Sequence, residues 1–128
     1  MNDRREFGDY QTPLAFAVKV CSYLKNELHL TPSAVIEPTC GCGNFLRSSL
    51  IFGAKEYYGI EINPEYCDYC MTNIEDSRVR IIEADFFSYN FKGLVTDQSN
   101  VLIIGNPPWV TNSELSSLGS ANMPTKAN

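Results

Sequence analysis

The chain has 128 residues, with 10 Lys and Arg against 15 Asp and Glu for a net charge of −5, and it is 44% hydrophobic and 20% charged. That length suits one domain able to bury roughly two thirds of its unfolded surface, and the composition is that of an ordinary globular chain rather than a disordered one. The acidic balance argues against this segment gripping nucleic-acid phosphates by itself, no apolar run approaches the ~18 residues of a membrane span, and the charged start Met1-Asn2-Asp3-Arg4-Arg5-Glu6 shows no secretory signal.

In chain order, Phe7-Gly8-Asp9-Tyr10-Gln11-Thr12-Pro13 reads as a loop that delivers a helix, with Thr12 as N-cap and Pro13 at the first helical position. Leu14, Ala17, Val18, Cys21, Leu24 and Leu28 follow at helical spacing. The helix is expected to stop near His29, before Thr31-Pro32, with this single histidine serving as a C-terminal dipole partner. The first strand is expected over about Ala34–Glu37. A turn through Cys40-Gly41-Cys42-Gly43 then re-enters an apolar helix at Phe45 that runs to Gly53. Glycine suits such a loop because it permits positive φ and close approach of a ligand. A dinucleotide fingerprint would place a third glycine at position 46, which is Leu, so the signature of a pyrophosphate cradle is incomplete.

A second strand is expected over about Tyr57–Ile62, and Asn63-Pro64 then caps a helix with the stripe Tyr66, Cys67, Cys70, Met71 and Ile74. The third strand covers about Val79–Ala84 and ends in Asp85-Phe86-Phe87. A polar connection containing Gly93 and Asp97-Gln98-Ser99-Asn100 leads to the fourth, Val101–Ile104. Alternating strands and helices of these lengths predict a doubly wound, parallel α/β sheet with right-handed crossovers. Glu37, Glu61, Asp85 and Asn106 each fall at or just past the carboxyl end of an expected strand. In such a sheet those ends share one edge, where ligands bind. Glu61 stands where a carboxylate accepts ribose hydroxyls, and Asp85 with Phe86 offers an acceptor for an exocyclic amine beside an aromatic face.

The stretch Ile103-Ile104-Gly105-Asn106-Pro107-Pro108-Trp109 sharpens the reading. The Asn106 side-chain oxygen and the Pro107 carbonyl can both accept N–H bonds from one planar amino group, while Trp109 can stack on the ring that carries it. The five cysteines, an odd number, suit reduced thiols in the cytoplasm. Cys40, Cys42, Cys67 and Cys70 could chemically supply four thiolates to zinc. The loop position of the first two and the buried helical spacing of the others favour packing, and no metal is expected.

On these residues the chain resembles the class I S-adenosylmethionine-dependent methyltransferases. It is most similar to the N-terminal, cofactor-binding part of DNA adenine-N6 methyltransferases of restriction–modification systems. Phe-Gly-Asp-Tyr-Gln-Thr-Pro resembles the motif that precedes the glycine loop in one circular order of that family, which carries Thr12 into the cofactor site. Glu37-Pro38 through Gly41, Gly43 and Phe45 resembles the cofactor loop, Glu61 the ribose acid and Asp85-Phe86 the adenine site. Asn106-Pro107-Pro108-Trp109 resembles the catalytic motif, which puts Asn106, Pro107 and Trp109 at the target amine.

The resemblance implies a Rossmann-like fold limited to about four parallel strands in the order 3-2-1-4. It implies S-adenosyl-L-methionine as cofactor and double-stranded DNA with a flipped adenine as substrate. The expected organisation is an N-terminal loop and helix (1–33), a βα cofactor core (34–109) and a polar tail (110–128), with no target-recognition domain. Since a complete enzyme of that family carries more strands, a complementing polypeptide or self-association is expected, and turnover by this chain alone is not. Methyltransferases of RNA or of protein glutamine use a similar catalytic tetrapeptide and stay open as alternatives, as does a non-catalytic remnant that binds cofactor.

Overall fold

Four parallel strands, in the order β3-β2-β1-β4, organise the computed structural model, which describes residues 11–96 and 99–107. The strands are β1 (Ala34–Glu37), β2 (Glu56–Glu61), β3 (Val79–Glu83) and β4 (Val101–Ile103). The helices are α1 (Leu14–Asn26), α2 (Asn44–Ser48), continued by a 3₁₀ turn at Ser49–Phe52, and α3 (Pro64–Asn73). The chain divides into two compact units, Gln11–Asn106 and Met1–Tyr10 with Pro107–Asn128, and of the second only Pro107 is described. Trp109 and the tail from 110 therefore lie outside the described residues, as do Phe7 to Tyr10.

The expected strand order and parallel direction are those observed. Ile36 of β1 pairs with Tyr58 on one side and Ile103 on the other, so β1 is central. Glu61 pairs with Glu83, which aligns the carboxyl ends of β2 and β3. Asn100 sets the entry of β4 against β1: its carbonyl accepts from Ser33 N and Ser33 Oγ, and its Nδ2 donates to the Thr31 carbonyl.

The sheet is buried on two faces by different means. Alternate residues Val35, Tyr57 and Leu102 face the layer built by Ala17 and Cys21 of α1, Phe45 and Leu46 of α2, Cys70 of α3 and Ile74 just past its end. The opposite residues Ala34, Ile36, Tyr58 and Ile60 meet no helix among the described residues. They are covered by the irregular segment after β3, through Tyr89, Phe91, Leu94 and Val95. That segment is held to β2 by Glu56, whose Oε2 accepts from the amide and hydroxyl of Thr96.

Several boundaries differ from the sequence expectation, each for a local reason. Thr12 is not the N-cap of α1: Pro13 holds that position, and its carbonyl accepts from Phe16 N and Ala17 N without a side-chain cap. The α1 helix ends at Asn26 rather than near His29, because Leu30 N bonds back to the Leu24 carbonyl across a left-handed His29 (φ 55°). Its buried stripe is also narrower, since Leu14, Val18 and Leu28 are about half exposed while Ala17 and Cys21 are sealed. Helix α2 tightens to 3₁₀ after Ser48, where Ser49 Oγ donates to the Leu46 carbonyl at 2.6 Å. It still stops at Gly53 (φ 66°), as the sequence predicts. Asn63 caps α3 as expected, its Oδ1 accepting from Glu65 N at 2.9 Å.

Candidate functional site

The turn after β1 is unusual in how completely its amide groups are used. Thr39 N donates to Glu37 Oε1 at 2.9 Å, and Gly41 N donates to Glu61 Oε1 at 2.8 Å. Cys40 N donates to the Ile60 carbonyl and Gly43 N to the Cys40 carbonyl. Cys42 N donates to Gln11 Oε1 at 2.9 Å. Two carboxylates from adjacent strand ends therefore close on one glycine loop, as the sequence spacing of Glu37 and Glu61 predicts.

Glu37 is 2% exposed with no ion-pair partner among the described residues, which is rare for a carboxylate. Burial lifts its carboxyl from 4.5 to about 7; the bonds from the Thr39 amide and hydroxyl pull the other way, and the nearby Glu61 charge adds to the rise. The side chain lies flat across the backbone of Gly105, just past β4. A Cβ there would overlap Glu37 Oε1 and come within 2.7 Å of its Cδ. A side chain at position 105 would therefore displace the Glu37 carboxyl, a dependence between residues far apart in sequence that no local pattern reveals.

Glu61 binds in two directions, accepting from Gly41 N through Oε1 and from Asn63 N through Oε2 at 2.8 Å. It couples the glycine loop to the N-terminus of α3 and remains half-buried at the crevice. Both loop glycines are left-handed, Gly41 at φ 54° and Gly43 at φ 85°. What crowds them is protein. A Cβ on Gly41 would overlap the Gln11 amide, and one on Gly43 would meet Ile74 Cδ1 at 2.9 Å and Cys70 Sγ at 3.0 Å. Gly43 lets α3 pack against the loop.

The other expected site residues are placed less centrally. Thr12 presents its carbonyl to Asn44 Nδ2 at 2.8 Å, which ties it to the start of α2. Phe45 is buried in the helix-side core, edge-on to Phe16 with ring centroids 6.5 Å apart. Asp85 is exposed and turns Oδ1 back to Phe87 N at 2.9 Å, while half-buried Phe86 packs edge-on against Phe87 and Phe91. Asn106 is exposed beyond β4, past the Ile104 amide that bonds the Ile36 carbonyl, and Pro107 is exposed. Gln11, Asn44 and Gly105 belong to this neighbourhood and were not singled out from the sequence. The amide side chains of the first two carried no charge or spacing signal.

The cysteines near the loop act as packing groups and weak donors. Cys70 Sγ donates to the Gly41 carbonyl at 3.1 Å and Cys67 Sγ to the Glu61 carbonyl at 3.3 Å. The Cys40 thiol is pushed well above the ordinary thiol range by its hydrogen bond with Cys70 first and by burial second. Burial carries Cys67 up to about 12. A cavity of about 720 Å³ runs along the β3 edge, lined by Met71, Arg80, Tyr89 and Lys92 among others, and none of the strand-end acids borders it. The site is therefore marked by convergent hydrogen bonding and not by that hollow.

No family model matches the chain. The type II methyltransferase M.NspV of Nostoc sp. is 40% identical over 129 residues, which cover 96% of this chain and 27% of that protein. The type II methyltransferase M.CvrRI of a Paramecium bursaria Chlorella virus is 33% identical over 81 residues, or 62% of this chain and 19% of that protein. Among solved structures, a candidate RNA methyltransferase from Pyrococcus horikoshii superposes with a TM-score of 0.64 at 19% identity, over 84% of this chain and 53% of its own. A tRNA methyltransferase of M. jannaschii gives 0.50 at 20% identity, over 63% of this chain and 26% of its own. At such identities the structures establish a shared fold. The chain spans about a quarter or less of the length of the curated relatives it matches. Over that span the chain is similar in sequence to type II methyltransferases, and its four-stranded parallel sheet with flanking helices is the Rossmann-like methyltransferase fold.

Proposed function

We propose that this chain is the cofactor-side part of an S-adenosylmethionine-dependent methyltransferase acting on the exocyclic N6 amine of adenine in double-stranded DNA. The observation that carries the cofactor class is the glycine loop, whose amides from Thr39 to Gly43 are all engaged, two of them by Glu37 and Glu61. A pyrophosphate needs free loop donors and a positive field. From Thr39 to Gly43 every amide already has an acceptor, and two carboxyl groups beside the loop disfavour an anion. The same carboxyl groups suit a ligand that brings ribose hydroxyls, an ammonium and a sulfonium, all donors or positive charge. Glu61 is assigned to the ribose hydroxyls, Glu37, Gly41, Gly43 and Thr12 to the remainder of the cofactor, and Asp85 with Phe86 to its adenine. When bound, the cofactor supplies an electrophilic methyl group.

The chain's own contribution to chemistry is assigned to Asn106-Pro107-Pro108-Trp109. The exocyclic amine is a weak nucleophile because its lone pair is delocalised into the ring. Acceptors at the Asn106 side chain and the Pro107 carbonyl take its two N–H groups, favour a pyramidal nitrogen and stabilise the positive charge that grows there. The base has to leave the duplex to reach them. Trp109 then holds it by stacking, an interaction worth roughly 1–3 kcal/mol. The type II names of the relatives favour DNA over an RNA or a protein glutamine target. The proposed compartment is the cytoplasm, where DNA is accessible and thiols stay reduced, and the proposed partners are double-stranded DNA and a complementing polypeptide or second copy of this chain.

Calorimetric titration should give tighter binding of S-adenosylhomocysteine than of NAD, and the reverse order would overturn the cofactor assignment. With the complementing polypeptide present, Asn106→Ala should leave cofactor affinity nearly unchanged and slow methyl transfer to adenine-containing duplex by about a hundredfold or more. Near wild-type turnover by that variant would sink the amino-methyltransferase mechanism.

A further inference from the structure

We propose that Gln11 and Asn44 are positioning residues which form a reciprocal amide clasp, holding the segment around Thr12 against the glycine loop before any ligand arrives. Each partner segment contributes one side chain and one backbone group. From the first segment, Gln11 Oε1 accepts from Cys42 N at 2.9 Å. From the second, Asn44 Nδ2 donates to the Thr12 carbonyl at 2.8 Å. The Asn44 amide has one sensible orientation, because Arg47 donates to its Oδ1 at 2.7 Å and leaves Nδ2 for Thr12. The Gln11 amide also lies over Gly41 so closely that a Cβ there would overlap Oε1 and approach Nε2 to 3.0 Å. These contacts are specific in position and direction, and Gln11 is otherwise an exposed residue just ahead of α1.

The consequence follows from preorganisation. Residues 11–13 precede α1 and pair with no strand among the described residues, and the two bonds tie them to the loop directly. Two hydrogen bonds from opposite sides fix both the distance and the rotation of this segment. A ligand held jointly by Thr12 and the loop then need not order them, which removes part of the cost of binding. The cofactor half of this inference rests on the methyltransferase reading above, whereas the clasp itself does not.

The two are separated by measuring amide hydrogen exchange and ligand binding on the same variants. In ligand-free protein, Gln11→Ala should speed exchange at the Cys42 amide by about tenfold or more while leaving the β1 and β2 amides unchanged. Gln11→Glu keeps an acceptor and should restore most of that protection. S-adenosylhomocysteine affinity should fall roughly threefold to tenfold in Gln11→Ala and in Asn44→Ala, with the double variant losing less than the product of the two. Unchanged exchange at Cys42 in Gln11→Ala would overturn the clasp. Faster exchange with unaltered affinity would overturn its role in binding. Failure of the wild-type protein to bind S-adenosylhomocysteine would overturn the methyltransferase reading and the binding half of this inference, with the exchange data still deciding the clasp.

Discussion

At the scale of single residues, the site is dominated by one carboxyl group that is costly to bury. Glu37 is enclosed by its own turn and by Gly105, and burial raises its carboxyl to about 7 from 4.5. A raised acid binds its proton more tightly when folded, so the folded state is favoured at low pH and loses that advantage as pH climbs from about 4.5 through about 7. The loss is on the order of 3 kcal/mol at about 1.4 kcal/mol per pH unit. Glu37→Gln has no proton to release and should flatten this part of the curve, leaving the variant more stable than wild type at pH 8 in the absence of ligand. Urea unfolding at pH 5 and pH 8 measures the difference. An equal pH dependence in the two proteins would mean that Glu37 is not the group responsible. On the cofactor assignment proposed above, the gain in stability should be accompanied by weaker S-adenosylhomocysteine binding.

At the scale of elements, helix ends show how local chemistry is adjusted by context. Helix α1 closes with Leu30 N bonded to the Leu24 carbonyl and Leu28 N to the Tyr23 carbonyl, around a left-handed His29. A non-glycine residue at positive φ is strained, because a Cβ there costs about 1–2 kcal/mol. His29→Gly should therefore stabilise the protein. The benefit is reduced to about 0.5–1 kcal/mol because glycine also gains freedom in the unfolded chain. A rise of a few degrees in the thermal midpoint is expected, and a fall would show that the imidazole itself contributes to the fold. Gly53, at the end of the 3₁₀ turn, already has the favoured residue for its φ of 66°.

At the scale of the whole described unit, the sheet has an uneven environment. Strands β1 and β2 are hydrogen-bonded on both sides, whereas β3 has a partner only in β2 among the described residues. Three helices cover one face, and a segment without regular structure covers the other. Local opening should begin where backbone bonds are few and cover is irregular. Native-state hydrogen exchange should accordingly find the slowest amides in β1 and β2, with β3 and the segment from Tyr89 to Val95 exchanging sooner. Slowest exchange in β3 would contradict this ordering.

Much of this architecture was legible in the order of residues. Strand-to-helix alternation, with Gly41 and Gly43 in the first turn and acids at successive strand ends, is enough to specify a parallel sheet and the edge where Glu37 and Glu61 meet, because hydrophobic period and turn chemistry are local properties. The Asn63-Pro64 cap and the stop at Gly53 were readable for the same reason. Tertiary structure alone decided that Gly43 makes room for Cys70 and Ile74, that Gly105 makes room for Glu37, and that Gln11 and Asn44 join the segment before α1 to the loop. It also decided that Tyr89, Phe91, Leu94 and Val95, inside what reads as a polar connection, pack over Ala34, Ile36, Tyr58 and Ile60 on one face of the sheet. Each of these depends on which groups approach across a large separation in sequence. Packing and hydrogen-bond satisfaction set such approaches only once the sheet has formed, and neither leaves a periodic trace in the chain.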